Sequence, residues 1–85
     1  MSYKVDWTPE ARSPLADLWV RYPAHRAQIT AAQHRIDQHL AADPFNNGYP
    51  LSEGLYAIHV PPLRVIYEIS DATRAVTVVG VNWAP

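Results

Sequence analysis

Apolar and polar residues alternate at the start of the chain, with Tyr3, Val5 and Trp7 set against Lys4 and Asp6. A period of two predicts a short strand. Thr8-Pro9-Glu10 follows, a capping hydroxyl and then a proline suited to a first helical turn, and Ser13-Pro14 repeats the signal. Proline cannot donate a helical hydrogen bond, so the pattern predicts a short turn over 9–12 and the main first helix from about Pro14. Leu15, Leu18, Trp19 and Tyr22 recur at helical spacing and form its apolar face. Trp7 and Trp19 are both expected in the core. Pro23 separates this helix from a second, predicted from Ala24 to Ala42, whose stripe is Ile29, Ala32, Ile36 and Leu40. Gln28, Arg35, Gln38 and His39 fall on its wet side, and Asp43-Pro44 stops it. Two helices meeting at a proline predict an antiparallel helical hairpin. Residues 45–53 read as a loop with a turn at Asn47-Gly48.

Leu55 to Trp83 carries three strand-like runs joined by two tight connections. A turn at Pro61-Pro62, either with four loop residues or with a cis Pro62, places His59 opposite Arg64, Ala57 opposite Ile66 and Leu55 opposite Glu68. Tyr56, Ile58, Val60, Leu63, Val65, Tyr67 and Ile69 then share one apolar face that should carry the helices. The connection at Asp71–Arg74 pairs Ile69 with Val76 and Tyr67 with Val78, with Gly80 on the same helix-bearing face. The opposite face collects Leu55, Ala57, His59, Arg64, Ile66, Glu68, Thr77, Val79, Val81 and Trp83. It is more apolar than a solvated sheet face normally is, which predicts a protein partner.

Eighty-five residues support one domain, 1–85, with one modest core. No cysteine is present, no apolar run approaches the roughly 20 residues of a membrane span, and the N-terminus lacks a signal-peptide core. A cytoplasmic protein is expected. The formal net charge is −1, from seven Lys or Arg and eight Asp or Glu. That balance argues against general nucleic-acid binding, which in so small a protein normally brings a basic excess.

Arg64 is the unusual residue, a charge inside a strand pattern. It can contact a phosphate or stabilise transition-state charge, or it can pair with Glu68 or another carboxylate. His59, opposite it, is the accompanying candidate for proton transfer, or it stacks on Arg64 or Trp83. His25, His34 and His39 lack the spacing of a metal site, and no phosphate loop or hydrolase motif is present. No cofactor and no metal are expected. Glu10, Asp17 and Asp37 read as helix-start or solvated residues.

Several segments together resemble the RelE/ParE toxin superfamily. Val5-Asp6-Trp7-Thr8-Pro9-Glu10-Ala11 resembles its opening strand and turn, and Leu15-Ala16-Asp17-Leu18-Trp19 its first-helix pattern. Ile36 to Pro44 is similar to the end of its second helix. Gly54-Leu55-Tyr56-Ala57-Ile58 followed by Leu63-Arg64-Val65-Ile66-Tyr67-Glu68-Ile69 is similar to its most distinctive segment. The resemblance implies an α+β fold: an N-terminal strand, the two-helix hairpin and a three-stranded antiparallel meander, about four strands in one sheet. It also implies a type II toxin–antitoxin toxin, with growth inhibition and plasmid stabilisation as its roles and an antitoxin protein as its partner. RelE-like members cleave mRNA on the ribosome, whereas ParE-like members inhibit DNA gyrase without nuclease chemistry.

Arg64 matches the arginine of the family's RVIYEI-type strand. His59 lies near, and Ala57 at, positions where the nuclease carries basic residues. After the last strand the nucleases continue with a basic residue, an arginine and a later tyrosine, but here Val81-Asn82-Trp83-Ala84-Pro85 stands instead. The expectation is therefore a toxin acting by protein binding, ParE-like or catalytically weakened, through Ile66, Val79, Val81 and Trp83. The alternatives are a ribosome-dependent endoribonuclease using Arg64 and His59, and a degenerate member acting as a homodimeric interaction module.

Overall fold

The computed structural model describes residues 2–85. Strand β1 (Lys4–Trp7) leads into helix α1 (Pro9–Arg21); a single 3-10 turn at Pro23–His25 leads into helix α2 (Arg26–Ala42). Strands β2 (Tyr49–Ser52), β3 (Leu55–Val60), β4 (Leu63–Ser70) and β5 (Ala75–Trp83) complete the chain. One five-stranded sheet results, in the order β1-β5-β4-β3-β2. Its pairings are antiparallel except for β1, which runs parallel to β5 with Val5 beside Val76. The core lies between one sheet face and the helices: Ile29, Ala32, Ile36 and Leu40 of α2, and Ala11 and Leu18 of α1, meet Ile58, Leu63, Val65, Tyr67, Val76 and Val78. Among the described residues no helix is long and apolar enough to cross a membrane.

Helix α1 begins earlier than the prolines suggest and runs through Pro14. Ala11, in the expected separate turn, is fully buried, so tertiary packing recruits that turn into the helix. Pro14 deprives only the Glu10 carbonyl of its helical donor. Glu10 is exposed, where an unmade bond costs little. The Thr8 hydroxyl does not cap α1 but donates to the Val78 carbonyl at 3.2 Å, stapling the end of β1 to β5. Trp7 is buried as expected, and its indole N–H donates to Asp37 Oδ1 at 2.8 Å. Asp37 is thus a partner of the core rather than a free surface charge. Trp19 is not in the core: it is 41% exposed, with Arg26 above its ring at 5.4 Å. The helical stripe was wider in sequence than the area α1 buries.

The segment read as a loop contains the edge strand β2, which pairs with β3 through Tyr49–Ala57 and Pro50–Tyr56. Pro50 concealed it, because a proline suits only an edge strand, and this strand is at the edge. Gly48 precedes it at a point of very close approach. A Cβ there would overlap the Tyr67 hydroxyl and lie 2.6 Å from the Ala57 carbonyl oxygen.

The β3–β4 register is as the sequence predicts, from Leu55–Glu68 to Val60–Leu63, and the Pro61-Pro62 peptide is cis. The β4–β5 register holds from Ser70–Ala75 to Tyr67–Val78 and then slips, so that Ile66 faces Gly80 and Val65 faces Val81. Val79 is the extra residue of a β-bulge. A bulge reverses the alternation beyond it, and three expectations change. Gly80 belongs to the outer face, 3.9 Å from Ile66 Cβ by way of any added methyl. Val81 turns inward and is 9% exposed. Trp83, beside Leu63, also turns toward the helices, where it stacks on Tyr22 at 3.9 Å with the rings nearly parallel and meets the edge of His25 at 5.5 Å.

Tyr67 ties sheet, loop and helix end together. It is fully buried, and its hydroxyl donates to the Pro44 carbonyl at 2.6 Å. Burial pushes its pKa up to about 12, helped by the negative charge that Tyr56 and Asp43 can carry. In the unfolded chain a tyrosine titrates near 10. The folded form therefore holds its proton longer, and the stability this represents is complete below pH ~10 and is lost as pH rises toward 12. Urea unfolding should weaken across that window by about 2–3 kcal/mol through this residue. Tyr67→Phe should cost about 1–2 kcal/mol at neutral pH and flatten the alkaline slope. Tyr3, also raised by its hydrogen bond to Asp71, keeps part of that slope in the variant. An unchanged slope would rule Tyr67 out as its main source.

Candidate functional site

The helix-free sheet face is organised around the β3–β4 register. His59, Arg64 and Asn82 form one row across β3, β4 and β5; Ala57, Ile66 and Gly80 form the next, with Val79 bulged beside them. Leu55, Glu68 and Thr77 make the third row. Tyr49 extends the middle row onto β2 by pairing with Ala57. Period-two alternation puts these side chains on one face because each strand also buries its intervening residues, such as Ile58, Val65 and Val78.

Arg64 is half-buried there. Its Nε–H donates to the Tyr49 hydroxyl at 2.9 Å, and its guanidinium carbon lies 6.0 Å from the centre of the Tyr49 ring. The expected pair with Glu68 does not form. Among the described residues the ion pairs are Lys4–Asp6 at 4.0 Å and Arg74–Asp71 at 3.7 Å. Ile66 separates Arg64 from Glu68 along β4, and the phenol of Tyr49 takes the place a carboxylate was expected to fill.

His59 is exposed and stacks on neither Arg64 nor Trp83. Its Nε2 is 2.6 Å from the Ala84 carbonyl oxygen, so Nε2 carries a proton and donates it. Ala84 is itself pinned, its N–H donating to the Pro62 carbonyl at 2.7 Å. The residues after β5 thus fold back over the β3–β4 turn and engage the imidazole.

The two candidate catalytic residues are therefore neighbours on one face, but they are differently engaged. A guanidinium fork can hold a carboxylate or phosphate oxygen pair. A neutral histidine whose Nε2–H donates to a backbone carbonyl has only Nδ1 left to accept a proton, and Nε2 can hand its own proton to a substrate only by leaving that bond. Of the four residues predicted to bind a partner, Ile66 and Val79 lie on the outer face, half-buried. Val81 and Trp83 lie on the helix side, for the bulge described above. Tyr49 and Leu51, each 42% exposed on the edge strand, were missed. Their separation by one residue was the available signal, masked by Pro50 and the neighbouring Asn-Gly turn.

The family described as ParE toxin of type II toxin-antitoxin system, parDE, matches residues 5–82. Among solved structures, the toxin–antitoxin complex RelBE2 from Mycobacterium tuberculosis is similar over 98% of this chain and 99% of that one, with a TM-score of 0.80 and 25% identity. The isolated RelE toxin of E. coli is similar over 98% and 85%, with a TM-score of 0.68 and 19% identity. A double arginine-to-alanine mutant of RelE in the free state gives 99% and 85%, 0.69 and 22%. These last two establish likeness of fold. No curated protein sequence matches.

Proposed function

The chain belongs to the ParE toxin family of type II toxin–antitoxin systems, and from that footing we propose that it arrests growth by binding a protein target rather than by cutting RNA. An antitoxin protein covers it, and both target and antitoxin meet it in the cytoplasm. The observation that carries this reading is the state of its two best chemical groups. Arg64 has a neutral phenol as its side-chain partner, and His59 is committed to the Ala84 carbonyl. Strand cleavage by a neighbouring 2′-hydroxyl needs one group to take a proton and another to give one. On this face a single imidazole, with Nε2 tied to Ala84 and only Nδ1 left to accept, would have to do both. Around it lie Ile66, Val79 and Tyr49, an apolar surface suited to protein contact. The net charge of −1 adds no attraction for RNA.

Two measurements test the reading together. Induced expression should stop growth, and translation in vitro with the purified protein should leave mRNA intact at every codon. Gyrase supercoiling in the presence of the protein is the companion assay, and inhibition is the expected result. Mapped mRNA cuts that vanish in both Arg64→Ala and His59→Ala would replace this reading with a ribosome-dependent endoribonuclease. Growth unaffected by the folded protein would replace it with a homodimeric interaction module, which sedimentation would then show as a dimer.

A further inference from the structure

We propose that Arg64, held in place by Tyr49, is the anchor for an acidic side chain on an extended segment of a partner protein laid along β4. The inference rests on the protein-binding reading and names the chemistry of the partner at this face.

The charge census singles Arg64 out. Arg12, Arg21, Arg26 and Arg35 are exposed, where water solvates them. Two arginines are half-buried, Arg64 and Arg74. Arg74 has Asp71 at 3.7 Å and the Tyr3 ring at 4.8 Å. Arg64 has no carboxylate among the described residues. A partly desolvated guanidinium without a counter-anion gains from receiving one. Its Nε–H is spent on Tyr49 Oη, which fixes the plane of the fork and leaves the two terminal nitrogens to meet a carboxylate.

The neighbours give the occupant a pattern. Arg64 lies between His59, whose Nε2–H is held by the Ala84 carbonyl, and Asn82, whose amide can add a donor to the same anion. Two residues along β4 is Ile66, flanked by Val79 and the buried Ala57. Two further is Glu68, exposed. An extended segment repeats its side-chain direction every second residue, as the sheet beneath does. One lying along β4 therefore places an acid over Arg64 and an apolar residue over Ile66, and it avoids a second acid over Glu68. For a segment running in the direction of β4 the pattern is acid–any–apolar.

The apolar row favours a peptide over a nucleic acid. RNA would need cations spaced along the face to follow successive phosphates, whereas the face has Arg64 and His59 at one end and Glu68 at the other.

The test uses the intact protein and two peptides, acetyl-Glu-Thr-Val-amide and acetyl-Gln-Thr-Val-amide, with hexauridylate as the nucleic-acid probe. Binding is followed by the NMR signal of the Arg64 Nε–H. The glutamate peptide should shift that signal and bind about tenfold more tightly than the glutamine peptide. Arg64→Gln should abolish the difference, read from backbone amides of β3 and β4. Arg64→Lys keeps the charge without the fork and should lose most of the preference. In Tyr49→Phe the Arg64 Nε–H signal should move in the free protein and the preference should fall about threefold. That pattern identifies Tyr49 as a positioning residue. Equal binding of the two peptides, or a response to hexauridylate alone, overturns the proposal. Growth arrest without mRNA cleavage alongside either result would leave the protein-binding toxin standing and remove only this anchor.

Discussion

Gly48→Ala should remove about 3 kcal/mol or more of stability, the largest effect of an added methyl group among the three glycines. The added Cβ would overlap the Tyr67 hydroxyl and stand 2.6 Å from the Ala57 carbonyl oxygen. Neither neighbour can move cheaply. Tyr67 is fully buried with its hydroxyl bonded to Pro44, and the Ala57 backbone belongs to a strand paired on both sides. In a domain of this size each kcal/mol lowers the melting temperature by about 4–8 °C, so thermal unfolding should begin roughly 12–24 °C earlier. Gly54→Ala is the comparison. Gly54 has a positive φ of 79° but nothing near a new Cβ, so its cost should be the backbone term alone, about 1 kcal/mol. The double variant Gly48→Ala with Tyr67→Phe should be less unstable than the two single losses added together, because the phenylalanine removes one of the overlapping atoms. Additive losses would show that the hydroxyl is not what excludes the methyl.

The second large effect separates the two faces of the sheet within three residues of β5. Val81→Asp should unfold the protein or cost more than ~3 kcal/mol, because it forces a carboxylate into the core beside Val65. Val79→Asp should cost about 1 kcal/mol or less, because the bulged residue is half-buried on the helix-free face. Unbroken alternation would put both residues on the outer face and predict two mild effects. Denaturant unfolding of both variants therefore measures the bulge directly. If Val81→Asp is as mild as Val79→Asp, β5 does not reverse its alternation and the outer face includes Val81 and Trp83 after all.

How much of this was legible in the chain depends on how far each feature reaches. The α2 stripe of Ile29, Ala32, Ile36 and Leu40 is buried as its spacing predicts. The β3–β4 register also follows, because Pro61-Pro62 confines the turn and alternation on each side leaves one apolar set. The opposition of His59 and Arg64 comes from the same local rule. Tyr49 as the partner of Arg64 does not. It requires β2, an edge strand whose proline is neutral to the sheet only because nothing pairs on its far side.

Alternation and helical spacing, local properties of the chain, thus determined the element types, the α+β class, the helix-bearing face and the pairing of the central strands. Tertiary structure decided the rest. The bulge at Val79 places Val81 in the core and Trp83 on Tyr22; α1 covers too little of the sheet to bury Trp19; and β2 supplies the phenol that holds Arg64. Each of these is settled by burial and hydrogen bonding between residues far apart in sequence. A one-residue slip costs a local strand little, and only the distant surfaces it brings together determine which face each later side chain joins.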